Sequence, residues 1–478
     1  MNRSGPRFGS IETHTIDFIP TAERHGRPWH LFTLWFGANS VVVSIVTASL
    51  LVSQGMSFWW SVAAIVIGFA IGSFLSAFHS AQGPALGIPQ MIQSRAQFGY
   101  VGGALPMVVA AVNYLIFFAA APAICGLIVN IVWGWNVYLV AAVVMAITFV
   151  VALFGYDLSH QIGKYLSVAS VVVFGIFTVL LLTHTGVAHP TPIPTGGFEP
   201  TLFLLGTSVT VIYAAGYSPY IADYSRYLPE DSSTRATAWW TFAGIFLSSV
   251  WLFVLGAYLT TITGFDPDVL GSIVKVSDAF SPVYTVVLVL VIVAVQVLQG
   301  SLSLYAGGNT MLSIVTSFRT RGGADGAGLR QRLASLIPFS VVCFAAVIAY
   351  TASFESAFLQ ALSLILILLV PWSAINLADF YVVRRGHYAI ADMFDPRGRY
   401  GRYNVAGLVS FVVAVLVELP FANLGWFVGP IATAFDGADF SWLVGIVVSG
   451  VCYVALSRSR ITHELVDTRS AVSVAATD

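Results

Sequence analysis

Apolar runs of membrane-crossing length recur along nearly the whole chain. They lie at about 31–53, 58–80, 104–130, 136–155, 162–183, 202–225, 239–263, 283–306, 333–351, 356–382, 404–424 and 440–457. A hydrocarbon layer ~30 Å thick takes roughly 20 apolar residues of helix, and a helix satisfies its own backbone groups where water is absent. Twelve such runs predict an all-α polytopic membrane protein. Composition points the same way: of 478 residues, 57% are hydrophobic and only 9% charged. A soluble domain carries about 25% charge. So little charge cannot solvate a soluble surface, and the lipid bilayer is the first partner to expect.

The cations test this count independently. With twelve spans and both ends inside, Lys and Arg should collect in the tails and in alternate loops. All but Lys275 of the 21 Lys and Arg do so, from Arg3, Arg7, Arg24 and Arg27 through Arg95, Lys164, Arg226 and Arg235. The series continues through Arg319–Arg332 and Arg384–Arg402 to Arg458, Arg460 and Arg469. A miscounted span would scramble that pattern. The chain therefore divides into a cytoplasmic tail (1–30), five spans (31–183), five more (202–382), two last spans (404–457) and a second cytoplasmic tail (458–478). A cytoplasmic (inner) membrane is the expected location. The long loops are read at 183–197, 264–282 (with Asp266, Asp268 and Asp278) and 383–403, and none is large enough for a separate domain. About thirty polar residues precede the first apolar run, so a cleavable signal is not expected.

Few function classes survive this frame. No basic tract suggests nucleic acid. Cys125, Cys343 and Cys452 sit in apolar stretches without metal-ligand spacing, so they read as small buried hydrophobes and no cofactor is expected. No nucleophile with a base, HExxH or intramembrane carboxylate pair speaks for an enzyme. His79, at the inner end of the second span, reads as an interfacial hydrogen-bonded histidine before a catalytic one. No filter motif or charged pore ring marks a channel. A transporter has positive support. Secondary transporters bind substrate where helices are interrupted, at matching positions of two repeats. The first span holds FGANS (36–40) and the sixth, five spans later, holds YAAGYSP (213–219), with a permissive Gly216 and an amide-less Pro219.

LWFGANSVVVS (34–44), HSAQGPALGIPQMIQSRAQFGYVG (79–102), GYSPYIADYSRYLP (216–229) and PWSAINLADFYVVRRGHYAIADMFDP (371–396) together resemble the nucleobase:cation symporter-1 family. These are permeases for cytosine, purines, uracil, allantoin, hydantoins and related heterocycles. The likeness runs from about residue 15 to 460 and leans toward the purine-cytosine branch. It implies a LeuT-type fold of two inverted five-helix repeats plus two helices, with substrate between spans one, six, three, eight and ten. It places an aromatic platform at Phe117, with Phe118 beside it, and finds Ala121 where the family has an amide. On span eight the family's substrate-facing Asn falls on Ser303. Where sodium-coupled members carry paired hydroxyls, this chain has Val297 and Leu298. Proton coupling is therefore expected ahead of Na⁺.

The residues themselves narrow the site further. Asn39 and Ser40 could bind a ring edge, or Asn39 could serve only to cap a helix break. Tyr213 and Tyr217, four apart, share a face and form either a stacking wall or interhelical packing. Gln296, Gln299 and Ser303 make a polar stripe that lipid would not tolerate, of which Gln299 and Ser303 are the better site candidates. Asn113, Tyr305 and Asn309 are weaker ones. Asp223 and Asp379, with Arg226 and Arg384 nearby, read as salt bridges or gate pairs before proton carriers. Ser373 and Asn376 flank Pro371 and could serve an inner gate. Glu418 is the one acid well inside an apolar run; such acids default to function, but its span lies outside the ten-helix core and an interhelical hydrogen bond is expected there. The expectation is a monomeric importer of a small planar nitrogen heterocycle, a purine or cytosine. A vitamin precursor, hydantoin or allantoin, and then a non-transporting receptor, stand as alternatives.

Overall fold

The computed structural model describes residues 16–154, 156–187, 190–191, 196–264, 268–318, 329–352 and 354–457. Most of both tails, Asp266, Arg319, Arg321 and part of the 183–197 stretch lie outside the described residues. The described residues form helices joined by turns and loops. The chain begins α1 (His30–Asn39), α2 (Val42–Ser53), α3 (Phe58–Ser80), α4 (Gln82–Leu86), α5 (Gln90–Phe98), α6 (Ala104–Trp133), α7 (Val137–Phe154) and α8 (Tyr156–Leu182). There follow α9 (Pro200–Ala215), α10 (Ser218–Ser225), α11 (Thr234–Ile262), α12 (Val269–Phe280), α13 (Pro282–Ser317), α14 (Leu329–Ala352) and α15 (Phe354–Leu377). The last elements are α16 (Val405–Glu418), α17 (Pro430–Ala434) and an apolar helix, α18 (Ser441–Ser457).

Eight of these segments are long and apolar enough to cross a membrane, and α1 with α2 makes a ninth, bent by 57°. Three shorter apolar helices, Leu333–Ile348, Val405–Phe421 and Ser441–Ser457, fall on the three remaining runs. Within the bundle α13 packs on α6, α3 on α9, and α11 on α3, α2 and α1. Small residues make this close approach possible. A Cβ at Gly72 of α3 would stand 2.3 Å from the Val211 carbonyl of α9, and one at Gly256 of α11 would meet the Ile45 carbonyl of α2 at the same distance.

Three expectations about loops are corrected. The 264–282 stretch is not a loop beyond its start, because Val269–Phe280 forms α12. Asp268 caps it by accepting from the Gly271 amide at 2.9 Å, and Val269, Leu270, Ile273 and Val276 turn one face inward. The run 79–102, which joins the second and third expected spans, is also largely helical, as α4 and α5. Every residue of α5 is buried, including Arg95, which donates to Met393 O, Ser313 O, Thr316 Oγ1 and Ser317 Oγ and lies over the Tyr100 ring. That burial pulls the Arg95 guanidinium down to about 10. Finally, α13 continues to Ser317, past the end expected at 306. Gly307 and Gly308 do not end it; they admit Phe339 and Leu336 of α14 at close range.

Candidate functional site

At the first break, Ser40 leaves helical geometry (φ −79°, ψ 67°) and Val41 is fully extended. The buried Asn39 amide ties the break to two other helices. Its Nδ2 donates to Ile245 O (3.2 Å), Ser248 Oγ (3.1 Å) and Ser249 Oγ on α11, and its Oδ1 accepts from Tyr217 at 2.6 Å. Ser40 Oγ turns back to its own helix, donating to Phe36 O at 2.6 Å. Both residues stand at the break as expected, with their polar groups spent on holding it.

The sixth span is interrupted differently. Gly216 and Tyr217 keep right-handed backbone angles, and Pro200–Ser225 runs as one span without the sharp bend of the first. Pro219 cannot donate an amide, so carbonyls before it need other donors. Ser76 of α3 donates to Ala214 O (2.7 Å) and lies 2.9 Å from Ser218 Oγ, while Asn113 Nδ2 of α6 donates to Gly216 O (2.9 Å). Phe117, one turn beyond Asn113, brings its ring edge to Gly216; a Cβ there would sit 3.0 Å from Cε2. The Phe117 ring meets Tyr213 edge-on at 5.6 Å between centroids. Tyr213 lies 3.1 Å from Ser44 Oγ of α2. Phe118 points elsewhere, packed against Gly300 of α13.

Span eight supplies the third wall. Gln299 of α13 neighbours the Tyr217 and Tyr220 side chains. Trp35 of α1 packs edge-on against Tyr217 at 5.4 Å and Tyr220 at 6.0 Å. The polar atoms left over are telling. Trp35 Nε1, Asn113 Oδ1, Gln299 Oε1 and both amide atoms of Gln296 are buried without a hydrogen-bond partner. Ser303 is buried on the same helix. Val297 is half-buried, and Leu298 faces Gly163 of α8, so the positions matching the sodium-coupled hydroxyls supply no side-chain oxygen. Among the described residues no cluster of three His, Cys, Asp or Glu side chains could hold a metal. Trp35 and Tyr220 were not singled out from sequence. Their signal was spacing: Trp35 is one turn before Asn39 and Tyr220 nearly one turn after Tyr217.

A second polar region lies at the C-terminal ends of α3 and α15. His79 is fully buried and hydrogen-bonded, with Nε2 2.8 Å from Ser373 Oγ, Nδ1 3.2 Å from Gln90 Nε2, and its ring stacked on Trp372 at 5.0 Å. Asn376 Oδ1 accepts from Gln82 at 2.9 Å. Asp223 accepts from the Gln90 amide at 2.7 Å, and Arg226 Nε reaches its carbonyl at 3.2 Å. Asp379 pairs with Arg384 Nε (3.1 Å) and accepts from Gln97 (2.7 Å), Tyr388 (2.8 Å) and Tyr453 (2.8 Å). Burial, and then the Asp379 charge, hold the Tyr388 phenol well above the usual range, so it stays a donor. Glu418 overturns its expectation: fully buried against Gly445, neither carboxylate oxygen has a hydrogen-bond partner.

Known proteins share this sequence and fold. A family profile described as permease for cytosine/purines, uracil, thiamine, allantoin matches residues 18–445. YxlA of Bacillus subtilis, provisionally named a purine-cytosine permease, is 36% identical across 94% of this chain and 97% of its own. The purine-cytosine permease fcyB of Emericella nidulans is 24% identical, covering 94% and 88%. The fold matches that of Mhp1, a nucleobase-cation-symport-1 family transporter solved closed with bromovinylhydantoin bound. The TM-score is 0.73 at 18% identity, over 94% of this chain and 96% of that one.

Proposed function

The chain belongs to the family of permeases for cytosine/purines, uracil, thiamine and allantoin, and from that premise we infer that it imports a purine or cytosine by cation-coupled alternating access. Members of this family are multi-pass membrane transporters, not enzymes. The observation that carries the substrate reading is the set of partnerless polar atoms beside an aromatic wall. A buried donor or acceptor left unpaired costs about 1–3 kcal/mol. A flat ring with alternating donors and acceptors on its edge relieves that cost at Trp35, Asn113, Gln296 and Gln299. Phe117 and Tyr213 offer faces or edges for its π surface.

The same reading takes the spans as twelve, in two inverted repeats of five (31–183 and 202–382) followed by two, with both termini cytoplasmic. The segregation of Lys and Arg supports the orientation, and the two interrupted spans, five apart, support the repeat. Coupling is to protons ahead of Na⁺, because Val297 and Leu298 leave a family-type sodium site short of oxygens. A cyclic amide with fewer polar edges, such as a hydantoin, allantoin or a vitamin precursor, is the second reading, favoured by Ala121 in place of an amide. A thermal-shift screen of the purified protein separates the two, since a ligand stabilises in proportion to its concentration over Kd. Adenine, hypoxanthine or cytosine should raise Tm. Stabilisation by hydantoins or pyridoxine alone would transfer the assignment to the second reading.

A further inference from the structure

His79 of α3 meets α5 through Gln90 and α15 through Ser373 and Trp372, all of them neutral groups. We propose that His79 is the proton-binding site that couples substrate movement to the pH gradient, read out by the side-chain amide of Gln90. The proposal rests on the transport reading above and adds the residue that carries the ion.

The hydrogen-bond chemistry defines the proton's place. Gln90 Nε2 can only donate, so the Nδ1 that it approaches at 3.2 Å is the acceptor, and the ring proton lies on Nε2, donated to Ser373 Oγ. A proton arriving from outside therefore joins the Nδ1 lone pair and displaces the Gln90 donor. The amide has a ready answer, because its Oε1 is buried and partnerless. Rotating the Gln90 amide presents Oε1 to the new Nδ1–H and withdraws Nε2 from Gln93 Oε1, its other partner at 3.2 Å. The proton is thereby reported to α5, whose Gln97 grips Asp379 and whose Arg95 holds α13. When the inner side opens, the same proton leaves Nδ1 for cytoplasmic water.

Competing titratable groups around His79 are committed elsewhere. On α5, Arg95 is spent on carbonyls and hydroxyls, and on α10, Asp223 holds the Gln90 backbone amide. Beyond α15, Asp379 is paired with Arg384, and the Tyr381 hydroxyl donates to Phe78 O. On α9 Tyr213 faces Ser44; on α11 Arg235 is exposed; α2 and α4 carry no ionisable side chain. Tyr220 and Tyr224 on α10 pack with Trp35. Glu355 stands at the start of α15, far in sequence from Ser373. Histidine is the side chain whose ordinary range spans neutral pH, and His79, fully buried here, exchanges its proton only when the site opens to water.

The test uses the full-length protein in proteoliposomes with radiolabelled adenine, hypoxanthine and cytosine. Wild type should accumulate a nucleobase under an inside-alkaline pH gradient and alkalinise the outer medium as it does so. His79→Gln, which keeps a donor and an acceptor but cannot titrate, should lose at least ten-fold in accumulation while counterflow exchange stays within about two-fold. Wild-type entry without proton movement, accumulation by H79Q, or a monodisperse H79Q that has also lost exchange each overturns the proposal. Should H79Q not fold, Gln90→Met decides. Its accumulation should fall at least five-fold, and unaltered accumulation overturns the assignment. Failure of wild type to exchange any nucleobase strikes the substrate reading instead; proton flux is then followed with hydantoins and pyridoxine, and absence of proton-coupled entry for these also overturns it.

Discussion

Phe117 is the residue on which substrate affinity should turn. Its ring edge lies against the Gly216 hitch and against Tyr213. Base–aromatic stacking is worth ~1–3 kcal/mol, so Phe117→Ala should weaken nucleobase binding roughly 5- to 150-fold. Calorimetry on the purified variant reads this directly, and unchanged affinity would place the stacking face elsewhere. Asn39 should behave otherwise. With its amide spent on Ile245, Ser248, Ser249 and Tyr217, Asn39→Ala should lower Tm more than it changes affinity for bound substrate. Sequence placed Asn39 at the break, because small and polar groups clustered inside an apolar run interrupt a membrane helix or line a cavity, while Phe117 was marked only by the family resemblance. It could not divide binding from bracing, since the partners that saturate Asn39 are more than 170 residues away. Glu418 shows the same gap in reverse: its depth was legible and its lack of partners was not. A buried acid without hydrogen bonds is costly, so Glu418→Gln should raise Tm by an amount equivalent to ~1 kcal/mol or more and leave uptake near wild type. A marked loss of uptake in E418Q would give that carboxyl a transport role.

Helices were readable where hydropathy alone decides them, and misread where polar segments fold against the bundle. α5 has Gln, Ser and Arg along it, the pattern of a solvated loop, yet all of it is buried. Its polar groups find partners on α10, α13 and the tail of α15, which no local pattern reveals. The two interrupted spans also diverge more than their matching positions suggested. α1 and α2 are sharply bent, whereas α9 and α10 stay aligned because Ser76 and Asn113 attend the carbonyls around Gly216. This makes the sixth-span hitch sensitive to added volume. Gly216→Ala puts a methyl 3.0 Å from Phe117 Cε2 and 3.3 Å from Asn113 Oδ1. The variant should keep its fold and lose most uptake, with the loss in Km rather than expression; uptake kinetics at matched surface levels would show it.

Across the whole molecule, Asp379 joins parts that sequence keeps far apart. Its carboxylate takes Gln97 from α5, Arg384 and Tyr388 from the loop after α15, and Tyr453 from α18. Hydrogen bonds to a charged group contribute about 1.5–3 kcal/mol each, and four on one buried carboxylate tie these segments into one opening unit. Asp379→Asn removes the charge at nearly constant shape. Arg384 then loses its ion-pair partner, and one amide face can no longer accept from the donors around it. The expected result is a coordinated rise in hydrogen exchange across α5, residues 384–402 and the C-terminal end of α18, with α6 and α11 unaffected. Tyr453→Phe, which removes one donor only, should loosen α18 alone. If D379N increases exchange in the 384–402 segment and nowhere else, Asp379 is a local loop anchor. Concerted loosening instead means that this end of the bundle opens by breaking the junction, and that α18 moves with it.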